Sequence, residues 1–378
     1  MQWRAIYTSP VIPTLQDIDW HSFVARPPLP SAQPETLAAL ARQTILITGA
    51  GGSIGTALAQ RLATLNPPSL VVLEASESNL FALNSELAPS ANIATFLGSA
   101  GDSALLEHIF ATHRPRLVFH AAAFKHVPLM EQHPLAAIAN NIFSTEALTR
   151  AAAAHHARVV LLSTDKAVQP ASVMGATKRV AEQIVLSHGG TVLRLGNVLA
   201  SRDSVTEIFA QQIARGGPVT VTDPAARRYF LTLDEAVDQI LTAAANPQSP
   251  ALLAPRLPAT HYIADLANFM ARTLSPGREI SIEFTQFRPG DKETEQLWSE
   301  DDLTHPASPG ASNSALISIQ SESLSPEQIT FRLAQLRAAV DARDLAAALA
   351  QLRALVPGYS PSESVLALAR NAALQAPR

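Results

Sequence analysis

The chain has 378 residues, 47% of them hydrophobic, with 28 Lys and Arg against 32 Asp and Glu and a formal net charge of −4. That length gives one large or two small domains with ample chain for a core, and a slightly acidic balance without a basic run argues against a nucleic-acid partner. The lack of cysteine removes disulfides, thiolate zinc sites and a cysteine nucleophile; with no apolar stretch of membrane length and no signal-peptide pattern, the expectation is a cytoplasmic protein with no membrane span in this chain.

Residues 1–43 are Pro-rich and weakly patterned, an N-terminal arm laid on a domain. From Thr44 short β-rich runs alternate with helical stretches. The runs are TILIT (44–48), SLVVLE (69–74), NIATFL (92–97), RLVFH (116–120), RVVLLS (158–163) and TVLRL (191–195). Helices are predicted over 53–65, 76–87, 102–113, 134–155 and 173–188. Continuous apolar strands separated by helices give an α/β fold with a doubly wound parallel sheet, the dinucleotide-binding Rossmann type, over 44–200. Beyond Gly196 the pattern turns mixed, with helices over 204–215 and 234–245. Residues 201–302 therefore read mainly as a smaller substrate-binding lobe, with later segments able to return to the sheet. Residues 303–325, rich in Ser, Pro and Asn, read as a loop in a C-terminal linker. Apolar spacing at Ile329, Leu333, Leu336 and Val340, then Leu345, Leu349 and Leu352, predicts two amphipathic helices packing on the body or on a partner subunit.

The segment ILITGAGGSIG (45–55) is a strand, a glycine loop and a helix start. Gly49 allows a tight turn, Gly52 lets backbone approach a pyrophosphate, and Gly55 lets helix pack on strand; the helix start at Ser53 and Ile54 offers free N–H groups to phosphate. Glu74 ends the second strand, where a carboxylate accepts from ribose hydroxyls and repels a 2′-phosphate. NAD is thus favoured over NADP.

Only four lysines occur, at 125, 166, 178 and 292, each in a short motif-like block, while arginine supplies the rest of the positive charge. An ammonium whose basicity is tuned by burial does chemistry that a guanidinium cannot. The fifth strand ends in STDKAVQPASVMGATKRVAEQ (163–183), which sets Thr164, Asp165 and Lys166 at the cofactor crevice and Met174 and Lys178 on one helix face. His155 and His156 close a helix and are read as solvated, and no metal site is expected.

This layout resembles the extended short-chain dehydrogenases/reductases, whose active helix carries Tyr-x-x-x-Lys; here methionine stands at the tyrosine position. With STDK, MGATK, HAAAFKHVPLME, LRLGNVLASR, RRYFLT and FRPGDK, the chain resembles the CapD-like polysaccharide-biosynthesis proteins. Within them it is most similar to the retaining UDP-N-acetylglucosamine 4,6-dehydratases. The resemblance spans roughly residues 45–300 and implies NAD-dependent oxidation at C4, elimination of water across C5 and C6, and hydride return to C6. It assigns Lys166 as the C5 base, Asp165 as the group handling the C4 hydroxyl proton and the leaving water, and Thr164 as a hydrogen-bond partner of the C4 oxygen. Lys178 would hold the nicotinamide ribose, and Met174 would close the usual tyrosine proton route.

The resemblance further implies that Ser99, Ala121, Ala122 and Lys125 touch the cofactor and that Asn141 ties its helix to the active-site strand. Asn197, Arg202, Arg228 and Lys292 would surround the UDP diphosphate. A homodimer or larger assembly would pair through helices 134–155 and 173–188. Four departures stand out: Ser99 where the family has Asp, and the acids Asp203, Glu207 and Asp223 near the expected diphosphate site, which would disfavour a UDP-sugar if they pointed inward. Two other classes stay open: a UDP-sugar 4-epimerase, and a protein that binds NAD or a nucleotide sugar without turnover.

Overall fold

The computed structural model describes residues 14–15, 17–87, 92–246, 248–306, 315–321 and 324–375. The six predicted strands are β1 (Thr44–Thr48), β2 (Ser69–Glu74), β3 (Ile93–Leu97), β4 (Leu117–His120), β5 (Arg158–Thr164) and β6 (Thr191–Leu195). Ile45, Leu46 and Ile47 have no exposed surface, as a central strand covered on both faces requires. The sheet runs β3-β2-β1-β4-β5-β6, all parallel, and continues through Ala251–Pro255, also parallel. Strand order reverses between β1 and β4, so the crevice opens at their C-terminal ends.

That seventh strand, ALLAP, is one the sequence reading passes over, because its closing proline and the surrounding prolines mask it. The loop expected over 303–325 is corrected: Leu303–Pro306 and Leu316–Gln320 are strands that add antiparallel to the edge beside Ala251–Pro255. Leu316, Ile317 and Ile319 are buried there. Their polar flanks conceal a short apolar alternation. The helix Leu233–Ala244 also belongs to the main body, packing on the helix Ser53–Ala63 and on β6. It begins with a capping box in which Thr232 and Glu235 satisfy one another's backbone N–H groups.

The smaller cluster gathers the helices Val205–Ala214 and Ile263–Leu274 around the paired strands Val219–Val221 and Ile282–Phe284. Residues of the arm complete it. Trp20, Phe23 and Val24 are buried against Phe209, Phe230 and Leu266. Arg26 grips Glu235 with both terminal nitrogens, at 2.6 and 2.8 Å.

The C-terminal helices Pro326–Asp341, Leu345–Leu355 and Glu363–Gln375 form a layer on the active-site helix Val173–Ser187. Ile329, Leu333, Leu336, Leu349 and Leu352 share a buried cluster with Val173, Ala176, Val180 and Ile184. Gln183 donates to the Leu355 carbonyl at 3.1 Å. The chain's own C-terminal helices therefore cover that face of Val173–Ser187. Beside the helix Ser144–Ala154 an open groove of about 1070 Å³ remains, lined by residues including Ser99, Phe124, Asn140 and Arg337. Among the described residues no helix is long and apolar enough to cross a membrane.

Candidate active site

The glycine loop leaves β1 with Gly49 at φ +67°, a conformation that favours glycine. A Cβ on Gly49 would lie 2.6 Å from the Ala122 backbone, and one on Gly55 would lie 2.2 Å from the Gly49 carbonyl oxygen. The fold itself demands those two glycines. Gly52 differs: a Cβ there would meet only the Gly49 carbonyl oxygen, at 3.4 Å. Its bare backbone, exposed before the N-terminus of Ser53–Ala63, fits a dinucleotide phosphate. Glu74 is buried, accepting from Gly51 N and Ser76 N, each at 2.9 Å, so it braces the loop as well as facing the crevice end of β2. Ala121 continues the β4 ladder by donating its N–H to the Thr48 carbonyl. Ser99 is exposed and accepts from Gly101 N at 3.1 Å.

At the end of β5 the chain turns through a single 3₁₀ turn, Asp165–Ala167, capped by Thr164. Asp165 has no exposed surface. Its Oδ1 accepts from the Thr164 hydroxyl at 2.9 Å and from Lys166 Nζ at 3.0 Å, while Oδ2 is buried with no hydrogen-bond partner among the described residues. A buried carboxylate oxygen left bare is costly unless something is meant to approach it. Lys166 Nζ also donates to Asn197 Oδ1 at 3.3 Å and lies 3.9 Å from Glu295 Oε1. Burial pulls the Lys166 ammonium down, but the Asp165 and Glu295 carboxylates outweigh it, and the group is held above its ordinary value. In this state Lys166 is an ammonium.

Lys178 lies one layer deeper, donating to the Leu162 carbonyl at 2.7 Å; burial pulls it down to about 8. The same burial, with Lys178 nearby, pulls His120 down to about 3, so its ring is neutral. His120 bridges Thr48 Oγ1 at 2.7 Å and Thr145 Oγ1 at 2.9 Å, locking β1, β4 and the helix Ser144–Ala154 behind the crevice. Met174 is buried in the apolar cluster beneath the C-terminal layer. It has no ionisable group, so no proton passes through it.

Several expected residues stand elsewhere. Asn141 lies in a π-helical segment, Ala139–Phe143, of the kind that often marks functional sites. It clasps the loop after β4 at Phe124 and donates to Thr177 Oγ1 at 3.0 Å. It therefore joins its helix to that loop and to the active-site helix, not to β5. Arg202 lies over the glycine loop: its N–H donates to Ser53 Oγ at 2.8 Å and Nη1 to the Gly51 carbonyl at 3.1 Å. Lys125 is exposed and donates to the Arg202 carbonyl. Both belong to the cofactor side in this structure, and Asn197 belongs with Lys166.

Arg228 is buried with its guanidinium donating to the carbonyls of Arg227, Lys292 and Glu293, a clamp on the loop that follows FRPGD. Lys292 pairs with Glu295 Oε2 at 2.8 Å and donates to the Val168 carbonyl at 2.9 Å. Asn197, Arg202, Arg228 and Lys292 thus each engage protein groups in this structure.

The three added acids also resolve. Glu207 accepts from Asp203 N at 2.5 Å, and both acids act on Lys125. Asp223 closes a turn by accepting from Ala225 N. His155 is not simply solvated: it stacks on Phe110, with ring centroids 5.4 Å apart, and pairs with Glu107 at 3.1 Å. Sequence reasoning missed Glu295, buried three residues after Lys292, and Tyr229, whose hydroxyl burial and Asp165 push up. The signal for Glu295 was its spacing from Lys292. Among the described residues no cluster of potential metal ligands occurs.

The profile of the polysaccharide biosynthesis protein family matches residues 45–313. The chain is 39% identical over 281 residues to the capsular polysaccharide biosynthesis protein CapD of Staphylococcus aureus, covering 71% of this chain and 47% of that protein. It is 32% identical over 278 residues to UDP-glucose 4-epimerase of Rickettsia typhi, covering 69% of this chain and 79% of that protein. The X-ray structure of Pen from Bacillus thuringiensis superposes with a TM-score of 0.68 at 28% identity, covering 76% of this chain and 90% of that one. The chain spans about half the length of the polysaccharide-biosynthesis relatives it matches. With the parallel sheet, the glycine loop and the Thr-Asp-Lys turn all inside the matched span, the chain belongs to the polysaccharide biosynthesis protein family.

Proposed function

We propose that this chain binds NAD and removes water from a UDP-sugar, with UDP-N-acetylglucosamine as the first candidate, giving the UDP-4-keto-6-deoxy sugar. The observation that carries this reading is the turn at the end of β5, where a buried carboxylate with one bare oxygen lies 3.0 Å from an ammonium at the mouth of the crevice. NAD, when bound, would take hydride from C4 and later deliver it to C6. Gly52, Ser53 and Ile54 would hold its pyrophosphate, and Glu74 its adenosine ribose.

The protein's own groups account for the protons. Asp165 Oδ2 would receive the proton of the C4 hydroxyl, with Thr164 orienting the carboxylate. Oxidation at C4 acidifies the C5 proton, which Lys166 would remove once it has shed its own. Asp165 would then give the proton it took from C4 to the departing C6 hydroxyl, and Lys166 would return a proton to C5, so the cycle closes without an external oxidant. The identity to UDP-glucose 4-epimerase supports a second reading, oxidation at C4 with hydride returned to C4. A lysine beside Asp165 favours elimination, because epimerisation needs no base at C5. Incubation with UDP-N-acetylglucosamine decides between them by mass spectrometry: dehydration yields a product lighter by one water, and epimerisation leaves the mass unchanged.

The cofactor assignment has its own test. NAD should bind more tightly than NADP by calorimetry, because the Glu74 carboxylate would face the 2′-phosphate. Glu74→Ala should narrow that difference. It should also weaken both cofactors somewhat, since Gly51 N loses its acceptor. A wild-type preference for NADP would contradict the assignment.

A further inference from the structure

Glu295 has no place in the scheme above, yet only 2% of its surface is exposed. Its two oxygens face two different lysines. Oε2 lies 2.8 Å from Lys292 Nζ, and Oε1 lies 3.9 Å from Lys166 Nζ. The segment that carries it is fixed from both sides. Arg228 binds the carbonyls of Lys292 and Glu293, and Lys292 Nζ binds the Val168 carbonyl just beyond the catalytic turn. A carboxylate buried this fully, on a loop clamped this firmly, serves the group it faces.

We propose that Glu295 is a positioning residue that holds the Lys166 ammonium in its ion cluster and thereby determines when that lysine is free to accept a proton. The inference rests on Lys166 acting as the C5 base. The charged groups around Lys166 are Asp165 on its own turn, Glu295 on the clamped loop and Arg228 behind that loop. Tyr229 looks toward Asp165, and Lys292 shares Glu295. Lys292 acts on Lys166 by occupying part of Glu295's charge.

Two substitutions should therefore move Lys166 in opposite directions. Glu295→Gln keeps the side-chain shape and deletes the charge, so Lys166 should lose its proton at lower pH. At the 3.9 Å separation the shift should be on the order of one pH unit or more. Lys292→Met leaves Glu295 wholly to Lys166, which should then hold its proton to higher pH. Glu295→Asp keeps the charge and should leave the titration near wild type.

With four lysines in the chain, ¹³C-lysine NMR can follow the Lys166 Cε resonance through a pH titration, with Lys166→Met assigning the peak. The ascending limb of the dehydration pH profile should move with that resonance, to lower pH in Glu295→Gln and to higher pH in Lys292→Met. Opposed shifts in the two variants support the proposal. A Lys166 titration unchanged in both, or moving the same way in both, overturns it. The NMR titration needs no substrate. If the wild type releases no water from UDP-N-acetylglucosamine while Lys166 still shifts as expected, the assigned reaction fails and the control of Lys166 by Glu295 stands.

Discussion

Lys166→Met should lower the elimination of water by about 10²–10⁴-fold, the range that a positioned acid or base contributes, while sparing part of the first hydride transfer. Adding UDP-N-acetylglucosamine to the NAD-loaded variant should then raise the absorbance of reduced nicotinamide without release of water. Methionine preserves the length of the stem and removes the only group at that position able to take the C5 proton. Asp165→Asn should impair both steps, because the proton from the C4 hydroxyl loses its acceptor. It also removes the anion 3.0 Å from Lys166 Nζ. Tyrosine at Met174 should not fully rescue Asp165→Asn, since residue 174 is packed in an apolar cluster shared with Val173, Val180 and the C-terminal helices. Wild-type rates in Lys166→Met would return that lysine to a structural ion-pair role.

The second large effect concerns stability. Arg194 and Glu182 form a buried bidentate pair, with both nitrogen–oxygen distances at 2.9 Å. Ser163 donates to the same carboxylate at 2.6 Å, Arg179 at 3.0 Å, and Arg194 donates onward to the Leu297 carbonyl. The pair thus joins β5, β6 and the helix Val173–Ser187 directly behind the Thr164–Lys166 turn. Glu182→Gln strips the buried guanidinium of its bidentate partner, leaving it Asp302 at 3.9 Å, and should cost about 3 kcal/mol of unfolding free energy, read from the midpoint of denaturant unfolding. Replacing both partners, Glu182→Leu with Arg194→Met, should cost much less.

The pH dependence follows from the same contacts. Burial opposes ionisation of Glu182, but Arg194 and its hydrogen bonds win and hold the carboxyl at about 2, against an ordinary value of 4.5. A depressed carboxyl stabilises the fold fully above its unfolded value and loses that contribution as pH falls through the folded one. Wild-type stability should therefore fall between about pH 4.5 and pH 2, and Glu182→Gln should flatten that part of the curve.

What the sequence disclosed, and what it hid, follows physical lines. The six parallel strands were legible because each is a continuous apolar run between helices, and β1 with Ile45, Leu46 and Ile47 fully buried is the clearest case. The glycine loop was legible because Gly49 and Gly55 answer to steric contacts a few residues away. The strand Leu316–Gln320, paired with Ala251–Pro255 on one side and Leu303–Pro306 on the other, was hidden because it carries Ser and Gln among its apolar residues.

At the site, Thr164, Asp165 and Lys166 share one turn, so their proximity is written in adjacent positions. Glu295 reaches Lys166 from a loop about 130 residues later, and no local pattern reports such a contact. The contacts of Arg228 were hidden for a related reason. An arginine in a motif shows that a guanidinium is wanted, but Arg228 meets three backbone carbonyls that the motif does not name.

The most direct measurement is the mass of the product formed from UDP-N-acetylglucosamine in deuterium oxide by the NAD-loaded protein. Elimination through a base at C5 predicts a product lighter by one water and carrying one solvent deuterium at C5, located by NMR, formed far more slowly by Lys166→Met. Recovery of a 4-epimer of unchanged mass without solvent deuterium, or of untouched substrate, would contradict the account.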